Sequence, residues 1–214
     1  MQRNRGTRFE IGDALRAGWQ RFWPNILPMG LFALVVWAVN ALIQFLQDET
    51  SGLVRFLFGL VGFLVTQLIA IGWIKIALDI IDGHRLRAEA VIDRFRLVVP
   101  YLLAALLFSL MVTIGLVLLI VPGIIVIVVF GFYGFHIVDT GDSNPISALR
   151  RSAEITRGHR LQLFLFGLVL LGINLLGILL LVIGVLITSG ISLLAVAYAY
   201  RHLAGVSSPA EDVA

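Results

Sequence analysis

Apolar residues run through this chain in three long blocks, each too long for a single helix across a bilayer. The first extends from Ile26 to about Ile81 and is interrupted by Gln47-Asp48-Glu49-Thr50-Ser51-Gly52. The second, Leu97 to Val138, has only Val121-Pro122-Gly123 as punctuation; the third, Leu161 to Leu203, is broken weakly near Gly184. A hydrocarbon core of roughly 30 Å needs about 20 helical residues. The second block alone would make a helix of about 63 Å at 1.5 Å per residue. Each block therefore folds back on itself, and Pro122-Gly123 supplies a reason for the turn in the second. Six spans follow, at about 26–46, 53–78, 98–120, 123–139, 161–182 and 186–203. The expected fold class is all-α integral membrane: six transmembrane helices as three hairpins, each preceded by a cytoplasmic amphipathic helix.

Those preceding helices are read from charged segments with helical spacing, at about 7–23, 86–97 and 145–157. The first opens with Thr7-Arg8-Phe9-Glu10, a capping-box pattern. It sets Ile11, Leu15, Trp19 and Phe22 on one stripe against Asp13, Arg16 and Gln20. The second opposes Val91, Ile92 and Phe95 to Glu89, Asp93 and Arg96. The third starts at Asn144-Pro145, an N-cap followed by proline at the first helical position, and stops at Gly158. Such helices lie in the interfacial plane or pack under the bundle. Ala-Leu-Arg recurs at 14–16 and 148–150, so the chain reads as three copies of one unit. A repeat of this kind fits either a bundle around a central cavity or a duplication with a solid core.

Composition agrees with the pattern. Hydrophobic residues are 59% and charged residues 14% of the chain, against roughly 45–50% and 25% in soluble domains. Mean hydropathy is +0.99. No cysteine is present, which removes disulfides, thiolate metal sites and cysteine nucleophiles. Basic residues are 16 and acidic residues 13. On six spans, Arg3, Arg5, Arg8, Arg16, Arg21, Lys75, Arg85, Arg87, Arg94, Arg96, Arg150, Arg151, Arg157, Arg160 and Arg201 share one face, leaving Arg55 alone on the other. The positive-inside rule then places both termini of the multi-pass chain in the cytoplasm. The basic surplus faces anionic headgroups rather than nucleic acid. Residues 1–23 do not read as a cleaved leader, and 204–214 reads as a disordered tail.

Polar side chains within spans are the first candidates for function, because they are costly in lipid. They are Asn40, Gln67, Lys75, Asp79, His136 and Asn174. Lys75 and Asp79 are four apart and can pair on one helix face, although Lys75 can also snorkel. The neutral amides suit hydrogen bonds between helices, and His136 could pair with Asp139. No two of His84, His136, His159 and His202 have ligand spacing, and no Gly-x-Ser-x-Gly, His-Glu-x-x-His or phosphate loop occurs. Neither metal nor cofactor is expected. Arg16, Arg21, Arg94, Arg96, Arg150, Arg151 and Arg157 are candidate contacts for anionic lipid or a partner.

The stretch Pro122-Gly123-Ile124 to Phe132, with Pro145-Ile146-Ser147-Ala148-Leu149-Arg150-Arg151-Ser152-Ala153-Glu154-Ile155-Thr156-Arg157-Gly158, resembles a prokaryotic group of membrane domains. These are related to the membrane portion of glycerophosphoryl diester phosphodiesterases and to YciC-type membrane proteins. They share a proline-glycine turn and an Ala-Leu-x-x-Ser segment ending in glycine before a last hairpin. In the phosphodiesterases catalysis belongs to a separate soluble domain, so the resemblance implies no hydrolase but a six-span, multi-pass protein of a bacterial or archaeal cytoplasmic membrane. The expected function is therefore a non-enzymatic scaffold or accessory module, contacting lipid, a protein partner or a second copy through its helices and basic face. The alternatives are a small transporter or channel, which would need a polar cavity, and a lipid-modifying enzyme, which would need convergent polar groups such as Asp79, His136, Asp139 and Arg151.

Overall fold

The computed structural model describes residues 9–84, 89, 93–179 and 181–205. Among these the chain is helical, with no strand. Helix α1 (Ile11–Phe22) passes through a 3-10 turn at Trp23–Asn25 into α2 (Ile26–Asp48), and α3 spans Gly52–Ile81. After a 3-10 turn at Asp93–Leu97 come α4 (Val98–Leu118), α5 (Ile120–Phe130), α6 (Tyr133–Thr140), α7 (Pro145–Ile155), α8 (Arg160–Leu179) and α9 (Leu181–Ala204). Six stretches are long and apolar enough to cross a membrane: Ile11–Asp48, Gly52–Ile81, Val98–Leu118, Ile120–Thr140, Arg160–Leu179 and Gly184–Ala204. By that measure the chain is a multi-pass membrane protein.

Two expectations need correction. The second block does not turn at Pro122-Gly123. It turns at Leu119, whose backbone is extended (φ −167°, ψ 150°), and Pro122 sits in the first turn of α5. Proline lacks an N–H that the first helical turn leaves free anyway, so it marks the start of a helix as readily as a bend. Gly123 permits the tight return: a Cβ on the facing Gly115 would lie 2.9 Å from the Gly123 Cα. The second correction concerns Glu10, which is the N-cap of α1 but makes no side-chain capping bond. Thr7, residues 86–88 and 90–92 of the 86–97 segment, and the tail beyond residue 205 lie outside the described residues.

Buried side chains gather at one end of the molecule. They include α3 from Ile71 to Ile81, Phe135, Ile137 and Val138 of α6, Ala148 and Ser152 of α7, and α9 from Ile191 to Arg201. The opposite ends of α2, α4, α5 and α8 expose large apolar residues such as Phe45, Val117, Ile120 and Leu179, a surface suited to acyl chains rather than water. Helix α9 is central and packs on α1, α2, α3 and α8. Its Ala195, Ala197 and Ala199 are fully buried, small residues that let neighbouring backbones close in.

Helix α1 runs antiparallel to the second half of α9. At one end the Phe9 ring lies 5.7 Å from Phe166 and 5.9 Å from His202. At the other, Phe22 covers Gly190, where a Cβ would come within 2.5 Å of its ring. Between them a Cβ on Gly18 would lie 2.7 Å from the Ile191 carbonyl oxygen and 3.2 Å from the Ala195 Cβ. Ala14, Gly18 and Phe22 thus form the contact stripe, while Asp13, Arg16 and Gln20 are exposed.

Helix α7 begins as its sequence signals. The Asn144 side chain accepts hydrogen bonds from the N–H groups of Ile146 (3.0 Å) and Ser147 (3.3 Å), and Gly158, left-handed at φ +90°, follows its end. α7 packs against α4, α5 and α6. It fills the gap where the α5 ladder breaks at Gly131-Phe132. There the Ser152 hydroxyl donates to the Val129 carbonyl (3.0 Å) and accepts from the Phe132 N–H (3.1 Å), and the Thr156 hydroxyl reaches the same carbonyl at 3.2 Å.

The α1–α9 contact leaves no room for a side chain at Gly18. Gly18→Val should cost about 1–3 kcal/mol through overpacking and release α1. Limited trypsin digestion in detergent should then cut faster at Arg16 and Arg21, while far-UV circular dichroism stays unchanged. Unaltered cleavage would show that α1 does not depend on this contact.

Candidate functional site

The ends of α3, α6 and α9 meet at the buried end of the molecule, and each brings charge there. The α3 terminus is built by Asp79-Ile80-Ile81-Asp82-Gly83-His84. The Gly83 N–H donates to the Ile80 carbonyl (3.2 Å) and the His84 N–H to the Asp79 carbonyl (2.8 Å), with Gly83 left-handed at φ +70°. This paired capping satisfies carbonyls the helix cannot and holds Asp82 at the cap. Arg21 completes it from α1, its Nη1 donating to the carbonyls of Ile80 and Ile81 at 2.6 Å each. A cation at a helix C-terminus also opposes the negative end of the macrodipole.

Asp82 and Asp139 thus both sit at helix C-termini, where a carboxylate is electrostatically unfavourable. Arg201, only 7% exposed, lies between them. Its Nε is 2.9 Å from Asp82 Oδ1 and its Nη2 2.5 Å from Asp82 Oδ2, a fork matched to the carboxylate plane. Its Nη1 donates to Asp139 Oδ2 at 2.7 Å, and the Tyr200 hydroxyl donates to the same oxygen at 3.0 Å. The Tyr200 ring is held by Phe132 and Phe135, with centroids 6.2 and 5.7 Å away. One guanidinium thereby ties three helices together.

Near this cluster two further pairs form locally. Lys75 and Asp79 form an ion pair one turn apart on α3. His136 lies nearest Asp142, at 3.7 Å, rather than Asp139, which Arg201 and Tyr200 engage. In the α6–α7 connection the Ser147 hydroxyl and the Asn144 N–H (2.9 Å) both donate to Asp142 and hold its carboxyl below the usual carboxylate range. Among the described residues, no group of three or more His, Asp or Glu side chains could hold a metal ion. One buried nitrogen, His159 Nδ1 at the start of α8, has no hydrogen-bond partner.

The predicted polar residues are not brought together. Lys75 and Asp79 pair with each other. The Asn174 amide donates to Ser192 Oγ across to α9 (2.7 Å) and to its own helix at Leu170 (2.8 Å). The Asn40 amide bonds only to the Val36 carbonyl one turn back (2.8 Å). Gln67 is half-buried on α3, eight residues from Lys75, about 12 Å along the helix. Of the predicted basic contacts, Arg21 is spent on the α3 terminus. Arg150 and Arg151 both reach Glu154, at 3.3 and 3.2 Å on the surface, pairs worth about 0–1 kcal/mol. Arg16, Arg96 and Arg157 are exposed and Arg94 is half-buried.

A cavity of about 190 Å³ lies between α2, α3 and α9, lined by Phe22, Met29, Ala33, Trp73, Ile187 and Gly190 among others. An apolar lining of this kind suits hydrocarbon rather than a polar solute.

Sequence reading missed Asp82, Tyr200, Ser152 and Thr156, and took Arg201 only as a marker of sidedness. Asp82-Gly83 was the legible signal for the α3 end, since glycine after a helix allows the left-handed cap. Fold and site together define an all-helical multi-pass membrane protein closed at one end by an ionic cluster. It belongs to the family of a domain of unknown function (DUF7847), which matches residues 95–212, more than half of the chain. No curated protein and no solved structure matches it.

Removing one partner of a buried ion pair leaves an uncompensated charge, typically at a cost of 3–5 kcal/mol. Arg201→Met should therefore lower thermal stability sharply in detergent, and adding Asp82→Asn with Asp139→Asn should recover much of it. A single variant as stable as the parent would refute the ionic account. Asp142 titrates below its unfolded value of about 3.9. Its contribution is present above that value and lost as pH falls through the folded one. The protection of the Asn144 amide, taken as the ratio of intrinsic to observed exchange rate, should therefore fall on acidification below about pH 4, and Asp142→Asn should remove that fall.

Proposed function

We propose that this protein is a non-enzymatic membrane module, a scaffold or accessory partner acting through its helices and a basic cytoplasmic face. The observation that carries this reading is the closure of the ionic cluster. Arg201, Asp82, Asp139 and Tyr200 satisfy one another, as do Lys75 and Asp79, so among the described residues these clustered polar groups are engaged with one another rather than free for a substrate. Large exposed apolar faces on α2, α4 and α8 offer surface to lipid, to a partner helix or to a second copy. The apolar lining of the cavity weighs against a polar solute path there. The proposed topology has three hairpins, each preceded by an amphipathic interfacial helix, with both termini in the cytoplasm of a bacterial or archaeal cell. The charge partition supports it, since 15 of the 16 basic residues fall on one side. Kinship with the phosphodiesterase-associated and YciC-type membrane domains is part of the same reading. The Pro122-Gly123 and Ala148–Gly158 segments behind it lie within the matched residues 95–212.

A small transporter or channel is the second reading. The Asn174–Ser192 hydrogen bond between α8 and α9 and the Lys75–Asp79 pair within α3 favour it, because polar contacts at such depth mark solute paths in other proteins.

Reconstitution separates the two. A lipid-facing module should be more heat-stable in phosphatidylglycerol nanodiscs than in phosphatidylcholine, at about 1 kcal/mol per basic residue engaged. Arg16→Gln with Arg96→Gln and Arg157→Gln should diminish the difference. Proteoliposomes that pass ions or small polar solutes without any partner would overturn the module reading in favour of the second.

A further inference from the structure

The three turns at the open end of the bundle differ in chemistry. Gln47-Asp48-Glu49-Thr50-Ser51, between α2 and α3, is polar, and Asp48, Glu49 and Ser51 are exposed. Between α4 and α5, the sequence from Ile114 to Phe132 has no polar side chain, the turn included. Between α8 and α9, the same holds from Leu175 to Ile187. These tips are nonetheless bare: Val117 is 81% and Leu179 77% exposed.

Their heights differ as well. Ile74 of α3 and Gly134 of α6 touch, a Cβ on Gly134 lying 3.2 Å from the Ile74 side chain. From that level α3 runs 22 residues back to Gly52, about 33 Å, whereas the chain from Gly134 back to Ile120 covers 14 residues, about 21 Å. Gly190 of α9 meets Met29 of α2, whose Cε would lie 3.5 Å from a Cβ there; from that level α2 runs 19 residues on to Asp48, about 28 Å, whereas α9 back to Leu181 is nine residues, about 13 Å. Along α4, whose Tyr101 the same Gly134 Cβ would meet at 3.0 Å, the turn lies 17 residues on at Leu118, about 25 Å. The α2–α3 turn therefore stands about 8–12 Å beyond the α4–α5 turn and about 15 Å beyond the start of α9. That excess exceeds the roughly 5–7 Å of headgroup region on each side of a bilayer.

We propose that the α4–α5 turn and the Leu179 end of α8 are lipid-contact tips seated at the hydrocarbon–headgroup boundary of the leaflet at the open end, while the α2–α3 turn crosses into water there. Apolar side chains favour hydrocarbon, but helix ends hold the tips at its boundary. At the end of α4 the Leu119 N–H is satisfied by the Gly115 carbonyl (3.0 Å) and Pro122 has no N–H. The last carbonyls of α4 still need a partner, which headgroups and interfacial water supply and the bilayer centre does not. The occupant around the tips is thus phospholipid, with acyl chains against Val117, Leu119 and Val121.

The chain's lack of cysteine makes it a natural background for testing this. Single Ser51→Cys, Leu119→Cys and Leu179→Cys variants are placed one per nanodisc, where both faces are open, and treated with a charged, water-soluble maleimide. Ser51→Cys should react at least tenfold faster than either tip, and all three equally in dodecyl sulfate. A ratio below tenfold overturns the proposal. Val121→Cys replaces any Leu119 variant that fails to reconstitute. A nitroxide at position 119 should collide with oxygen and not with a soluble nickel chelate. Protection from both would place protein rather than lipid on the tip and equally sink the assignment. These readouts do not depend on whether the protein conducts a solute, so they succeed or fail apart from the module reading.

Discussion

Two carboxylates at the ends of two helices, in a poorly hydrated setting, have to share one cation, and the packed end of this bundle is organised around that requirement. A carboxylate at a helix C-terminus meets the negative end of the dipole, and in a low-dielectric environment an unpaired charge is severely penalised. Only a planar, always-charged group with several donors can serve Asp82 with two bonds and Asp139 with a third. Delivering that group from α9 fixes the mutual heights of α3, α6 and α9. The aromatic packing of Phe132, Phe135 and Tyr200 then follows, because Tyr200 precedes Arg201 and shares its carboxylate.

The short helices serve the same end of the molecule in two ways. α1 sends Arg21 to the α3 terminus and covers α9. α7 inserts hydroxyls where the α5 ladder is interrupted, so that the Val129 carbonyl and the Phe132 N–H are paired. An unpaired buried backbone group costs several kcal/mol in apolar surroundings, so a break within a span has to be matched by a donor and an acceptor from elsewhere. Ser152 supplies both from one hydroxyl. This gives a physical meaning to the serine of the Ala-Leu-x-x-Ser segment.

Span number and approximate limits were legible because they depend on length and apolarity, which are local. Asn144-Pro145 was legible for the same reason: its partners are two and three residues away. Pro122 misled because the same residue suits a turn and a first helical turn, and what separates them is the Gly115–Gly123 approach between helices. The ionic cluster could not be read, since Arg201 and Asp82 are 119 residues apart and hydropathy treats every arginine as a surface charge. Ser152 was equally hidden, because its partners exist only once α5 has broken at Gly131.

The seating of α1 on α9 has a bearing on how the bundle is made. In a chain synthesised at about 5–20 residues per second, Gly18 waits on the order of ten to thirty seconds before Ile191 and Ala195 exist. Through that interval Ala14, Gly18 and Phe22 lack their α9 partner, and Arg21 at the α3 terminus is the tie between α1 and the helices already made. The last helix acts as a latch, and the bundle closes only when biosynthesis reaches it.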